Sequence, residues 1–351
     1  MKKSILVISV SNLAKGGVAT VVTTFMKNEL LNSKFNIHYF HSHNPKNFLT
    51  KWMSFFLSCI YFPILLLKNN FSVVHIHGSL KGSFIRKSYF LIWVKLFRIP
   101  IIYQCHAAEV YQYFNSKNEF QLRIINRIFS LYTLRLCLGS KGLKLFEDKT
   151  NMDWNILYNP VRTLNPSPKS DSNCHFTFMG ELSKRKGIVD LIKAFSLSKN
   201  DNAKLFVAGN GDIDALRKTC TKLGIENKVE FLGWINESEK LDLLAKTDVV
   251  VLPSYAEGLP MSILEAMSAG LPVITTPVGS VEDAITNKKH GLLVEPGNID
   301  DIRSALDELT SDKEKRECYG SNAKTKFHQN FEDHVVAKKL SQYYTSLISE
   351  S

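Results

Sequence analysis

The sequence predicts an α/β protein made of two doubly wound parallel-sheet domains in tandem. Three observations carry this. Apolar runs of strand length recur along the 351 residues, mostly separated by helical stretches, as in parallel sheets with helical crossovers. The runs are continuously apolar and do not alternate, which suits strands buried on both faces. One polar segment, Arg162 to Asn173, breaks the pattern near the middle with two prolines and three serines, and reads as a linker.

In the first half the strand-like runs are SILVISV, FNIHYF, FSVVHIH, IPIIYQC, LRLCLG and WNILYNPV. Helices are expected over Val18–Leu31 and Lys87–Phe97. The opening MKKSILVISV leads into SNLAKGG, with no small-residue cleavage site, and reads as a first buried strand. An uncharged, strongly apolar stretch runs from Trp52 to Leu67, 16 residues that include Pro63. A membrane span needs roughly 17–25 residues, so a buried helix is expected, with shallow membrane contact as the second reading. His75 and His77 flank Ile76 and are expected on opposite faces of their strand.

The second half restarts with HFTFMG, AKLFVAG, KVEFLG, DVVVLPS, LPVITT and GLLVEP. Helices are expected at about 188–199, 212–223, 236–246, 261–269 and 280–287, and from about Asp300 onward. The expected boundaries are 1–165, 166–330 and a C-terminal helix, 331–351, that packs back on the first domain. Ligands of such sheets bind beyond the carboxyl ends of the strands, so a site facing both domains is expected.

Charge divides the chain. Residues 1–165 hold 21 Lys and Arg against 6 Asp and Glu, a net of +15, whereas the rest nets −4. An anionic partner is expected for the first half only; a solvated basic face is the plain alternative. Zinc-finger spacing and an aromatic RNA-binding motif are absent, so nucleic acid is not expected. The six cysteines are scattered; Cys105 and Cys137 read as small core residues, and a reduced, cytoplasmic compartment fits.

The chemistry-bearing residues lie where second-half strands end. In FMGELSKRKG, Lys184, Arg185 and Lys186 crowd a loop before a helix, with Gly187 allowing close approach: an anion site, or a solvated charge run. In FVAGNGD, Gly209 and Gly211 permit a tight turn, and Asp212 is expected to cap the next helix. Asp212 and Asp214 are read as helix-opening residues, and no metal is expected. In SYAEGLPMSILEAMSAGLPVITTPVG, Ser262 and Glu265 match a capping box. Backbone N–H groups at Leu259, Met261 and Ser262 suit phosphate, whereas Pro260 has none. Glu265 suits the vicinal hydroxyls of a ribose, and Glu257 suits a sugar.

The succession GELSKRKG, VAGNGD, VEFLGW, LPSYAEGLPMSILEAMSAGLPVITTPVGS and HGLLVEPGN resembles the nucleotide-sugar domain of the family-4 retaining glycosyltransferases. Its E-x7-E signature is Glu257 and Glu265. More loosely, KGGVATVV is similar to that family's glycine-rich loop, VVHIHGS to its third strand ending and IIYQCHAAE to its active-site histidine segment. The resemblance implies a GT-B fold, two Rossmann-like domains facing a central cleft.

It also implies roles. His106, Glu257 and Lys186 would be catalytic. The nucleoside-diphosphate sugar donor would be bound by Gly16, Gly17, Lys184, Arg185, Lys186, Gly209, Gly211, Gly258, Leu259, Met261, Ser262 and Glu265. No cofactor is implied. The acceptor would be a glycan, lipid-linked, at an anionic membrane surface on the inner face of the cell membrane, in capsule, exopolysaccharide or O-antigen synthesis. Two departures stand out: Glu181 replaces the usual arginine, and Pro160 replaces the glycine after Asn159. The alternatives are a nucleotide-sugar isomerase of 2-epimerase type and a non-catalytic nucleotide-sugar-binding partner.

Overall fold

A computed structural model describes residues 2–11, 16–43, 48–167, 173–199 and 202–350. The chain forms two compact units, Met1–Pro160 with Asp333–Ser351, and Val161–Glu332.

The first unit contains β1 (Lys3–Ser9), α1 (Gly17–Met26), α2 (Glu29–Lys34), β2 (Phe35–His41), α3 (Phe48–Lys68), β3 (Phe71–Gly78), α4 (Gly82–Leu96) and β4 (Ile101–Cys105). There follow α5 (Val110–Asn115), α6 (Glu119–Phe129), β5 (Leu134–Cys137), α7 (Ser140–Thr150) and β6 (Asn155–Ile156). Its six strands are parallel in the order β2-β1-β3-β4-β5-β6. Strand order reverses between β1 and β3, which makes their carboxyl ends a switch point.

The second unit contains β7 (Phe176–Met179), one 3-10 turn at Lys184–Lys186, α8 (Ile188–Leu197), β8 (Leu205–Ala208), α9 (Ile213–Lys222), β9 (Val229–Gly233), α10 (Glu237–Lys246) and β10 (Val249–Leu252). Then come α11 (Met261–Ser268), β11 (Val273–Thr275), α12 (Val281–Ala284), β12 (Gly291–Leu293), α13 (Ile299–Ser311) and α14 (Lys313–Asn330). The parallel order β12-β11-β10-β7-β8-β9 puts the switch point between β7 and β10. Residues such as Val249, Val250, Val251 and Leu252 are wholly buried, as an all-apolar central strand requires.

The last helix, α15 (Asp333–Ser349), belongs to the first unit. Its Tyr344 hydroxyl lies 2.8 Å from His75 Nδ1, and its ring meets Phe35 edge-on. The first unit ends at Pro160, earlier than position 165. Val161 donates to Phe331 and Leu164 to Ser268, so the start of the expected linker is tied into the second unit. Residues 168–172 of that linker lie outside the described residues.

Four expectations need correction. Val18–Leu31 is not one helix: the chain breaks at Lys27–Asn28, and the Asn28 side chain caps α2 by accepting from Leu31. The helix expected at Lys87 already begins at Gly82, after Lys81 turns at φ 62°. The stretch 280–287 holds only the short α12. The uncharged stretch forms a single helix running through Pro63, but it is not buried. Phe62 and Leu66 enter the core, whereas Phe56, Leu57, Ile60 and Leu67 are 60–74% exposed. Hydropathy fixes how apolar a helix is, not whether neighbours cover it.

Candidate active site

The second unit's switch point gathers charge. The loop after β7 carries Arg185 and Lys186 on its 3-10 turn; the loop after β10 carries Ser254 and Glu257. Lys186 Nζ donates to Glu257 Oε1 at 2.5 Å, and Ser254 Oγ donates to the same oxygen at 2.6 Å. Arg185 Nη1 lies 3.8 Å from Glu257 Oε2 and donates to the Ala256 carbonyl. Glu257 is only 5% exposed, so its charge is matched by two cations and a hydroxyl, as a buried carboxylate requires.

The two loops are locked together by backbone. Tyr255 N–H donates to the Arg185 carbonyl at 2.8 Å. Gly187 adopts φ 71°, and a Cβ there would stand 2.1 Å from the Pro253 carbonyl oxygen. The loop of Glu257 and Gly258 is held from the other side, where Ser280 N–H donates to the Gly258 carbonyl. Gly209 and Gly211 also have positive φ, and Cβ atoms there would strike Gly180 and Leu182. The G-x-G turn thus serves the close crossing of two loops. Asp212 caps α9 by accepting from Ala215, as expected.

Glu181, standing where an arginine was expected, accepts from Arg185 Nη2 at 3.1 Å. It steadies the cation that reaches towards Glu257. Lys184 is exposed and joins no ion pair among the described residues.

The capping box does not form. Helix α11 begins at Met261 with Pro260 as its N-cap, and no side chain caps it. Ser262 and Glu265 therefore lie inside the helix, two residues too far along to form the box. Glu265 is paired with Lys240 of α10, whose Nζ donates to Oε1 at 2.6 Å. The first-turn N–H groups at Met261 and Ser262 are left without a side-chain cap, an arrangement suited to an anion.

In the first unit, Gly16 is the N-cap of α1 with φ 139°, and a Cβ there would meet nothing within 4 Å. Conformation, not crowding, favours glycine at Gly16, and Gly17, the first residue of α1, is exposed. His106 follows β4, and its Nε2 lies 3.0 Å from His77 Nδ1. His75 and His77 do not point to opposite faces: their rings stack at 4.2 Å, because residues two apart in a strand share a face. Burial pushes His106 down to about 3, with the Lys87 ammonium adding to the shift and the Asn159 side chain opposing it. These imidazoles are neutral at neutral pH.

Sequence reading missed Ser254, Lys240 and Lys87. Ser254 was legible as the first polar residue beyond β10. Lys240 lies 25 positions from Glu265 and carries no local signal.

Two parallel Rossmann-type sheets, one with a cation–carboxylate site at its switch point, define a protein of the GT-B class. Residues 164–326 match the family model of the glycosyl transferases group 1. An uncharacterized glycosyltransferase of Methanocaldococcus jannaschii is 35% identical over 205 residues, 58% of this chain and 52% of that protein. The match spans about half the length of the first curated relatives. The UDP-Gal:alpha-D-GlcNAc-diphosphoundecaprenol alpha-1,3-galactosyltransferase of Escherichia coli is 23% identical over 311 residues, 81% of this chain and 78% of that one. The crystal structure of Anabaena HepE in complex with UDP-glucose has a TM-score of 0.78 at 18% identity, covering 98% of this chain and 99% of that one. That likeness bears on the fold.

Proposed function

We propose that the protein is a retaining glycosyltransferase that moves a sugar from a nucleoside-diphosphate sugar to a hydroxyl of a lipid-linked glycan, in the assembly of bacterial surface polysaccharide. The observation that carries this reading is the pairing of Lys186 and Arg185 with buried Glu257 at the switch point of a group 1 glycosyl transferase domain. The relative named for a UDP-Gal donor and a diphosphoundecaprenol acceptor supports the substrate classes.

The chemistry follows from charge. Breaking the bond between the sugar and the diphosphate leaves negative charge on the departing oxygen. Lys186, Arg185 and the uncapped first turn of α11 supply positive potential for it, and no metal is needed. Glu257 holds Lys186 in place and offers its carboxylate to the sugar. Glu265 holds Lys240 through Oε1 and turns its other oxygen to the ribose. Gly258, Leu259, Gly209 and Gly211 shape the backbone around the donor, with Lys184 on the rim. His106, held neutral, offers a hydrogen bond to a sugar or phosphate oxygen without adding charge. Gly16 and Gly17 let backbone approach the ligand. In a retaining reaction the leaving phosphate takes the acceptor's proton on the same face, so no dedicated base is required.

The acceptor's lipid places the enzyme at the inner face of the cell membrane. Exposed Phe56, Leu57 and Ile60 of α3 and Ile92 and Leu96 of α4 support this, on a half of the chain with net charge +15.

The test is transfer itself. Purified protein is screened for thermal stabilisation by UDP-, GDP- and ADP-sugars. The best donor, radiolabelled, is then incubated with bacterial membrane lipid extract. Label in the lipid fraction, with the anomeric configuration of the donor kept, is expected. An epimerised free nucleotide-sugar formed from donor alone would overturn the transferase reading in favour of an isomerase.

A further inference from the structure

The first unit carries a second concentration of positive charge, at its own switch point. Helix α4 follows β3 and brings in Arg86 and Lys87. His43 follows β2 and is tied to the end of β1, since Ser11 N–H donates to the His43 carbonyl and Ser42 N–H to that of Ser9. Lys51 stands in the first turns of α3. These side chains sense one another: His43 is pushed down to about 4, by burial first and then by Arg86, Lys87 and Lys51.

Among the described residues, no carboxylate neutralises them. Glu29 is the single acid among the first 108 residues. The next, Glu109, is engaged by Lys81 at 2.7 Å. Among the described residues, Lys51, Arg86 and Lys87 join no ion pair. Lys87 is only 3% exposed, and its ammonium donates to the His77 carbonyl. Arg86 Nε is buried with no hydrogen-bond partner.

Burial first, and then the Arg86 guanidinium, push Lys87 down to about 7, and an anion beside these two groups offsets the cost of keeping both charged. A single surface lysine would explain nothing, but here a buried lysine is held at the carboxyl end of β3, where an open parallel sheet takes its ligand, and Arg86 with its unpartnered Nε is the preceding residue of α4. We propose that His43, Lys51, Arg86 and Lys87 form a binding site for a phosphate or diphosphate group in the first unit. Hydrogen bonds fix Lys87 at the end of β3 and His43 beside the end of β1, and these anchor the site; assigning its occupant to a substrate of transfer rests on the glycosyltransferase reading. That substrate is then either the phosphate-bearing acceptor or the donor. Arg86 suits a fork to two phosphate oxygens, whereas Lys87 supplies a point charge from below.

Inorganic pyrophosphate is the probe, titrated calorimetrically into the full chain before and after saturation with UDP. One equivalent is expected to bind to the UDP-saturated protein, and Arg86→Gln is expected to weaken it at least tenfold while UDP affinity stays within twofold. That result assigns the site to the acceptor's phosphate. Loss of UDP affinity in Arg86→Gln, with pyrophosphate excluded by UDP, assigns it to the donor's diphosphate. Lys87→Met separates ligand binding from folding: removing an uncompensated buried charge should raise the melting temperature of the ligand-free protein while abolishing its stabilisation by pyrophosphate. Pyrophosphate binding unchanged in both variants overturns the proposal. None of these readouts requires turnover, so a failed transfer assay leaves them intact.

Discussion

Lys186 Nζ and Glu257 Oε1 stand 2.5 Å apart, joining the loop after β7 to the loop after β10 at the point where the strand order of the second sheet reverses. Each of the two loops supplies one charge, so neither residue has its geometry without the other.

The two members of the pair should fail differently. Lys186→Gln removes a cation from the leaving diphosphate, and turnover should fall by roughly 10²–10³-fold, the size seen when one charge-stabilising donor is lost. UDP affinity should fall with it. Glu257→Gln keeps shape and hydrogen bonding but loses charge; turnover should drop while UDP affinity holds within about threefold, on the ordinary separation of binding from transition-state terms. Steady-state kinetics beside UDP titration reads both. Unchanged turnover in Glu257→Gln removes that carboxylate from the mechanism.

Glu265 and Lys240 should show strong coupling. Both are largely buried, so removing one strands the other's charge. The single variants Glu265→Ala and Lys240→Ala should each destabilise the fold more than their double variant implies by addition, with a coupling of about 0.5–3 kcal/mol in urea unfolding. Simple additivity would show that the pair is incidental.

Gly187→Ala tests the crossing of the two loops. Its positive φ and the Pro253 carbonyl oxygen leave no place for a methyl group. A loss of more than about 1 kcal/mol is expected, together with weakened UDP binding, because Lys186 is the neighbouring residue. Thermal melts with and without UDP decide it.

Acid should destabilise the first unit. Burial first, then neighbouring positive charge, pushes His75 and His106 down to about 3 and His43 to about 4. The unfolded chain takes up these protons near pH 6.5, whereas the folded chain resists them. Their contribution is therefore fully present above about pH 6.5 and is lost progressively as pH falls towards the folded values. Melting temperatures from pH 7.5 to 4 should decline, and His75→Gln should flatten the decline. A pH-independent melt contradicts the assignment of neutral, buried imidazoles.

The exposed face of α3 should bind anionic vesicles. Co-sedimentation with phosphatidylglycerol-containing liposomes is expected at low salt and should weaken as salt screens the attraction. Replacing Phe56, Leu57 and Ile60 together with serine should reduce it without lowering the melting temperature, because these side chains are already exposed. Undiminished binding would place the contact elsewhere.

Much of this molecule was legible in its sequence because the information is local. Continuous apolar runs such as VVVL report strands buried on both faces, and the residues following them report the loops where Lys186 and Glu257 lie. Contact information was not legible. Whether α3 is covered depends on partners far along the chain, and Glu265 reads as a cap until Lys240 is seen beside it. The helix start at Met261 is set by Pro260, which fills the cap position without a capping side chain. The cations around Lys87 were signalled only by the near absence of acids in the first 108 residues, a compositional fact that names no site.

Helix α15 has a consequence for how the chain is made. The first unit is finished by residues that leave the ribosome after the whole of Val161–Glu332. Until Tyr344 arrives, His75 lacks the hydroxyl that meets its ring nitrogen, and Phe35 lacks its edge-on ring. The second unit can mature during synthesis, whereas the first must wait with an open seam until α15 has been made. The half that carries the exposed apolar face of α3 is thus the last to close.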